Sequence, residues 1–385
     1  MARLFTCGFE ENDFTTTIWT STVGTPTIVT TPVNSGTYAG AITAGAARQF
    51  TRNLSSNVTS GTYFVRAYLR IAGAPSFDNR EMFTFTSSGL ADAQRLQMDT
   101  NRTLEFVNVI TSDVITGPIL VADTWYRIEM SVVVSDTAGT IELLVDGVSQ
   151  GSVTAIDTLS TNLSRFAWGS DASNFGSDVF WDDIAINDAT GSFQTSWPGA
   201  GKIALIEPAS DVSITWEDDD LVAAATFANI NELPGAAGDT AYNVETVTLN
   251  SIDQFGITAL PAEVPSDADM ILMDLYARVG SDQANAATAR FKIWDETPTL
   301  TTGPNIACGI NGWRIGSVGT TNEHQVFELG TRTKANTEAF NIGYENLTDV
   351  VGRDRRVSTL WANVEWIEAP GPGGGGGGMP HMAFW

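Results

Sequence analysis

Lysine is nearly missing from this chain: Lys202, Lys292 and Lys334 are the only three in 385 residues. With arginine they make 20 basic residues against 45 acidic ones, a formal charge of −25, although charged residues are only 17% of the total. Globular proteins average about 25% charged, so the acidity comes from missing bases rather than added acids. Binding to phosphate backbones is driven by clustered Lys and Arg. The nearest approach to a cluster is Arg353, Arg355 and Arg356 around Asp354, which excludes nucleic acid as the expected partner.

Cysteine and histidine are equally scarce, with two of each. Cys7 and Cys308 lie near opposite ends of the chain without companions at metal-ligand spacing, so no disulfide framework is indicated. A Ser-His-Asp triad or a His-bearing zinc site would have to use His324 or His381. His324 follows Gly319-Thr-Thr-Asn-Glu, which reads as a turn, and His381 lies in a tail; both are expected to be exposed and non-catalytic. No stretch approaches the roughly 20 apolar residues of a membrane span, and Met1–Asp13 has no apolar core of the signal-peptide kind. The expectation is a soluble protein folded in a cytoplasm, with no membrane partner.

Hydrophobic residues, 43% of the chain, recur at period two, the pattern of half-buried strands. Tyr63, Val65, Ala67, Leu69 and Ile71 share one face, with Arg66 and Arg70 on the other. Tyr126, Ile128, Met130, Val132 and Val134 alternate with Arg127, Glu129 and Ser131. In Thr140–Gln150, Ile141, Leu143 and Val145 oppose Glu142 and Asp146, and Asp146-Gly147 supplies a tight turn. Gly61, Gly73-Ala74-Pro75, Gly89, Gly117-Pro118, Gly139 and Gly151 punctuate at short-strand intervals. The second half repeats the habit over Tyr242–Leu249, Met270–Val279, Ala289–Trp294, Gln325–Leu329, Ala339–Tyr344 and Thr359–Ile367; Leu221–Ile230 suits helix and strand equally. The fold class is therefore all-β: two antiparallel, jelly-roll-like β-sandwiches in tandem over 1–190 and 203–369, joined by a turn-rich linker over 191–202. A Gly-rich tail with an aromatic end occupies 370–385. Its glycine stretch reaches about 15–20 Å, which makes Met379, Met382, Phe384 and Trp385 candidates for docking on a neighbouring subunit.

Few residues offer chemistry. Gly199-Ala-Gly-Lys202 imitates a phosphate loop without its first glycine or its Ser/Thr. Paired acids on one concave strand would permit glycoside hydrolysis, but Glu142 and Asp146 fit a solvated edge and Glu365 and Glu368 fall on opposite faces. No catalytic residue is assigned, and the protein is read as a non-enzyme. Calcium takes six to eight oxygens from carboxylates and carbonyls. Asp182 and Asp183, beside a strand, are candidates to hold it, the other reading being structural hydrogen bonding; Glu217-Asp218-Asp219-Asp220 reads as a solvated loop. No other cofactor is indicated. Trp125, Trp168, Trp216 and Trp313 read as packing residues.

Two sets of motifs carry a family resemblance. Trp125-Tyr126-Arg127-Ile128-Glu129, Gly139-Thr-Ile-Glu-Leu-Leu-Val-Asp146-Gly147 and Val179-Phe-Trp-Asp182-Asp183-Ile184-Ala185-Ile186 resemble the concanavalin A-like, laminin G-like sandwich, over about residues 1–190. Ile214-Thr-Trp216, Asn229-Ile-Asn-Glu-Leu-Pro234, Gly238-Asp-Thr-Ala-Tyr242 and Asp253-Gln-Phe255, with the opening Arg3-Leu-Phe-Thr-Cys-Gly-Phe-Glu-Glu-Asn12, resemble tailed-bacteriophage virion proteins. The resemblance implies a structural component of the virion surface, in capsid decoration, tail or fibre. Its expected partners are other virion proteins, copies of itself as a homo-oligomer, and a host surface glycan, and it would be synthesised in the host bacterial cytoplasm. The alternatives are a glycan-binding adhesin and a polysaccharide depolymerase.

Overall fold

The computed structural model describes residues 3–14, 18–76, 79–87, 92–158, 162–170, 175–218, 224–231, 241–245, 248–281, 288–294, 300–307, 312–315, 324–347 and 355–369. Among these the chain is almost wholly β, in four antiparallel sheets. The first sheet runs Val148–Ile156, Gly139–Val145, Trp125–Val134, Gly61–Ile71, Val179–Asp188, Ala39–Ile42 and Thr27–Val29, with Arg3–Cys7 also paired to Val179–Asp188. The second runs Asp113–Ile119, Thr103–Asn108, Asp92–Met98, Arg80–Ser87, Leu163–Ser170, Arg48–Val58 and Ser21–Val23.

Alternation decides how these two sheets pack. Val65, Ala67, Leu69, Ile128, Met130 and Val132 from the first sheet and Phe83, Phe85, Leu96, Phe106, Phe166 and Trp168 from the second are buried in one core. Trp168 stacks on Phe50 at 5.9 Å and meets Trp19 edge-on at 5.4 Å, arrangements that suit aromatic quadrupoles. The expected Asp146-Gly147 turn joins Gly139–Val145 to Val148–Ile156, with Asp146 in the left-handed region at φ 52°.

The third sheet orders Lys202–Ile206, Arg355–Ile367, Asp269–Ser281 and Gly312–Ile315, with Asn243–Glu245 on Arg355–Ile367 and His324–Arg332 on Asp269–Ser281. The fourth orders Pro208–Ser213, Ile252–Ile257, Asn341–Asn346, Thr288–Trp294 and Leu300–Ala307. Met273, Leu275, Ala277, Leu360, Ala362 and Val364 face a second core completed by Phe255, Phe291, Ile293, Ile342 and Tyr344. Three local expectations change. His324 opens a strand instead of lying in a turn, because it pairs with Tyr276. Lys334–Glu338 is a short helix capped by the Thr333 hydroxyl, which accepts from the Asn336 N–H at 3.3 Å and pushes the next strand to Asn341. Within Leu221–Ile230 the described part holds a single 3-10 turn, Phe227–Asn229.

Arg355–Ile367 is covered on both faces. Its second face carries Thr359, Trp361, Asn363 and Glu365, all buried, and Trp361, stacked on Tyr276 at 5.2 Å, packs into the first core. Asn363 Nδ2 donates to the Thr6 carbonyl at 3.2 Å and to Glu11 Oε1 at 2.7 Å. Segment 191–202 contains no strand until Lys202, yet it is pinned to the first sheet. Trp197 meets Phe64 edge-on at 5.2 Å, Asn187 Nδ2 donates to the Ser196 carbonyl at 2.7 Å, and the Gly199 N–H donates to Glu129 Oε1 at 2.8 Å.

Candidate functional site

Asp182 and Asp183 sit at an irregularity in Val179–Asp188, where pairing with Gly61–Ile71 skips between Asp182 and Ala185 and Asp183 takes φ 48°. A bulge lets consecutive side chains turn to one side, and both carboxylates reach the same loop. Asp182 Oδ2 accepts from the N–H of Asn34 at 2.8 Å and of Ser35 at 3.3 Å, and its Oδ1 accepts the Asp183 N–H at 2.8 Å. Asp183 Oδ1 accepts from the Ser35 hydroxyl at 2.8 Å and the Ile203 N–H at 2.7 Å, and its Oδ2 from Asn34 Nδ2 at 2.7 Å. Glu10 takes the next turn of the loop, accepting the Thr37 and Tyr38 N–H groups at 2.9 and 3.1 Å.

These acids are short of counter-charge. Burial pushes Asp182 well above the usual carboxylate range, helped by Asp183; burial also raises Asp183, and it raises Glu10 to about 8. The carboxylates are hard oxygens, the chemistry calcium takes, but the groups facing them are N–H and O–H donors, which an ion would have to displace. Among the described residues no three His, Cys, Asp or Glu side chains converge on one point. An ion here would be held by the Asp182 and Asp183 carboxylates and would draw its remaining oxygens from backbone or water. All four oxygens of the pair already accept hydrogen bonds, so the pair also braces the loop to the first sheet.

The other sequence candidates scatter. Glu365 is buried between Arg3 and Arg66, while exposed Glu368 pairs with Lys202 at 2.8 Å. Asp146 caps the Arg127 N–H at 2.8 Å, and Glu142 accepts from the Ser149 hydroxyl at 3.3 Å. Glu217 pairs its backbone with Val244 and Ala224. Trp168 and Trp216 are buried, as expected of packing residues. Asp219, Asp220, Cys308, His381, Met379, Met382, Phe384 and Trp385, and the His324 and Trp313 side chains, lie outside the described residues.

A different surface carries unmet polar groups. On the second sheet, the face turned from the core shows a cross-strand row set by register: Val107, Arg95, Thr84, Ala167 and Thr51. Thr84, Ala167 and Thr51 form a floor of small side chains closed from solvent. Two residues along their strands from this row lie Gln97 and Gln49 on one side and Arg165 on the other. Arg95 pairs with Glu81 at 3.3 Å, and Gln97 Nε2 donates to Glu105 Oε2 at 2.7 Å and Asn79 Oδ1 at 2.9 Å. Gln49 and Gln97 are each 4% exposed, yet their Oε1 atoms, like Arg95 Nε and Arg165 Nε, are buried with no hydrogen-bond partner. The remaining atoms of this kind are mostly indole and guanidinium N–H groups elsewhere. This face has no signature in the sequence, because Thr, Gln and Arg at alternate positions look like any solvated strand.

Neither a family model nor a curated protein sequence matches the chain. Solved structures similar to it include the cellulose-induced protein Cip1, with 17% identity, 51% of this chain and 99% of that one covered, and a TM-score of 0.39. Domain 4 of the extracellular GH43 arabinanase AbnA from Geobacillus stearothermophilus, solved with arabinotriose, gives 14% identity, coverages of 49% and 92%, and a TM-score of 0.34. The N-terminal CBM22 tandem of Paenibacillus barcinonensis Xyn10C covers 94% of this chain and 97% of its own at 9% identity and a TM-score of 0.28. The likeness is one of fold, and nothing in it bears on a virion.

Proposed function

We propose that the protein is a glycan-binding β-sandwich protein whose ligand lies across the outward face of the second sheet. The observation that carries this is the cluster of buried, unpartnered amide and guanidinium atoms on that face, Gln49 Oε1, Gln97 Oε1 and Arg95 Nε. A buried polar atom without a partner costs about 1–3 kcal/mol, and several on the outward side of one sheet call for a ligand that both donates and accepts. Sugar hydroxyls do both. Of the acids on this face, Glu81 and Glu105 are engaged by Arg95 and Gln97, and Asp92 stands two strands away from Arg165, so we read binding rather than hydrolysis. The neighbouring folds share the architecture and do not decide the ligand. Display on a virion rests on the sequence motifs alone.

A glycan array followed by calorimetric titration tests the reading. The full chain should retain at least one glycan, and Gln97→Ala and Gln49→Ala should each weaken that binding about three- to tenfold, the worth of one neutral hydrogen bond, with melting temperature as the folding control. Retention of no glycan, or affinities untouched by both changes, would show the face to be idle.

A further inference from the structure

We infer that the glycan held on this face is anionic, and that Arg165 is the residue that selects it; the inference rests on the glycan-binding reading above. The chain has 45 acidic residues for 20 basic ones, so an arginine needs little luck to find a carboxylate, and most of the described bases have found one. Arg3 and Arg66 share Glu365, Arg70 meets Asp123 at 2.7 Å, Arg127 meets Glu129 at 3.0 Å, and Lys292 meets Glu345 at 2.8 Å. Arg52 donates to the Ile18 carbonyl at 2.9 Å and lies over the Phe5 ring.

Arg165 has neither kind of partner among the described residues, and its Nε is buried. Arg102 lacks one too, but it sits in the tight Asp99–Arg102 turn. The residues directly across from Arg165 are Thr86 and Asn53, which are uncharged, and the floor beside it is Ala167, Thr84 and Thr51. It is thus a half-buried cation without a carboxylate partner among the described residues, the acid next in its row being Asp92 opposite Thr86, and it shares its sheet face with two acceptor oxygens, Gln49 Oε1 and Gln97 Oε1, that ask for hydroxyl donors. Arg95 cannot fill the same role, because Glu81 already neutralises it.

Hydroxyls for the glutamines and an oxyanion for the guanidinium describe a polysaccharide carrying carboxylates or sulfates. A guanidinium matches either group bidentately. The net charge of −25 opposes a polyanion at long range, but at physiological ionic strength the Debye length is about 8 Å, so the local pairing decides.

The test titrates the full chain with three polymers: a polygalacturonate, a sulfated galactan and an uncharged galactan. The expected result is affinity at least about tenfold higher for one or both charged polymers, with the two charged arms telling carboxylate from sulfate. Arg165→Gln should bring charged-polymer affinity down to the level of the uncharged one, and Arg165→Lys should keep part of the preference. Equal affinity for charged and uncharged polymers, or a preference that survives Arg165→Gln, overturns the inference while leaving the glycan reading intact. Binding to none of the three, together with an empty array, removes both.

Discussion

Glu365 has no exposure and lies between two guanidiniums, those of Arg3 and Arg66, which are equally buried. Burial alone would raise its carboxyl, and the two cations outweigh that and hold it below the usual range. Removing one partner of a buried pair leaves an uncompensated charge, at a cost of about 3–5 kcal/mol, and here two cations would be stranded. Glu365→Gln is therefore expected to lose at least that much in denaturant unfolding, whereas replacing all three residues by apolar ones of similar volume should cost far less. A single change tolerated within 1 kcal/mol, on the order of an exposed pair, would mean that the triad is solvated. In the sequence Glu365 could not be placed: in Thr359–Ile367 the set Thr359, Asn363 and Glu365 alternates with Leu360, Ala362 and Val364 as on a half-solvated strand. Alternation reports that two faces differ, not what covers the polar one. The same limit hid Arg165, Gln97 and Gln49, and the usable signal was compositional, since an acid-rich chain rarely leaves an arginine unpaired.

At the scale of elements, the regular strands were legible and their irregularities were not. Trp125–Val134 appears with the bounds and the inward set that its alternation predicts. The bulge at Asp182-Asp183 has no such signature, yet it aims both acids at the Asn34–Tyr38 loop. If calcium occupies this pair, millimolar calcium raises the melting temperature and a chelator lowers it, by linkage. The effect should be larger at pH 8 than at pH 5, because the ligands must be deprotonated. Asp183→Asn should abolish the calcium response. A melting temperature indifferent to both calcium and chelator would leave the pair as a hydrogen-bonding brace alone.

For the molecule as a whole, the buried acids set a pH profile. Burial pushes Asp253 up to about 6 from 3.8 and Glu10 up to about 8 from 4.5, and it raises Glu11, Asp182 and Asp183. The folded protein holds these protons more tightly than the unfolded chain. Their contribution is full below the ordinary values and is lost as pH rises through the folded ones, between 3.8 and 6 for Asp253 and between 4.5 and 8 for Glu10. Glu365 has the opposite sign: its contribution is present above 4.5 and is lost as pH falls through its lowered value. Stability measured in chelator should thus peak at or below about pH 4.5 and decline toward pH 8; a higher melting temperature at pH 8 would contradict it. Because Trp361 and Tyr276 belong to the first core, the same calorimetry should show one transition rather than two.

The Arg3–Glu365 contact also has a meaning in time. The two residues are 362 positions apart, and the strand that carries Glu365 lies between Lys202–Ile206 and Asp269–Ser281 in the third sheet. A ribosome adding about 5–20 residues per second needs on the order of 10–35 s to travel from Asp188 to Glu365. Throughout that interval the first sandwich is fully synthesised but its Arg3 and Arg66 have no anion. The middle of the molecule is delivered late, so a nascent chain must wait, open along that face, until Arg355–Ile367 emerges.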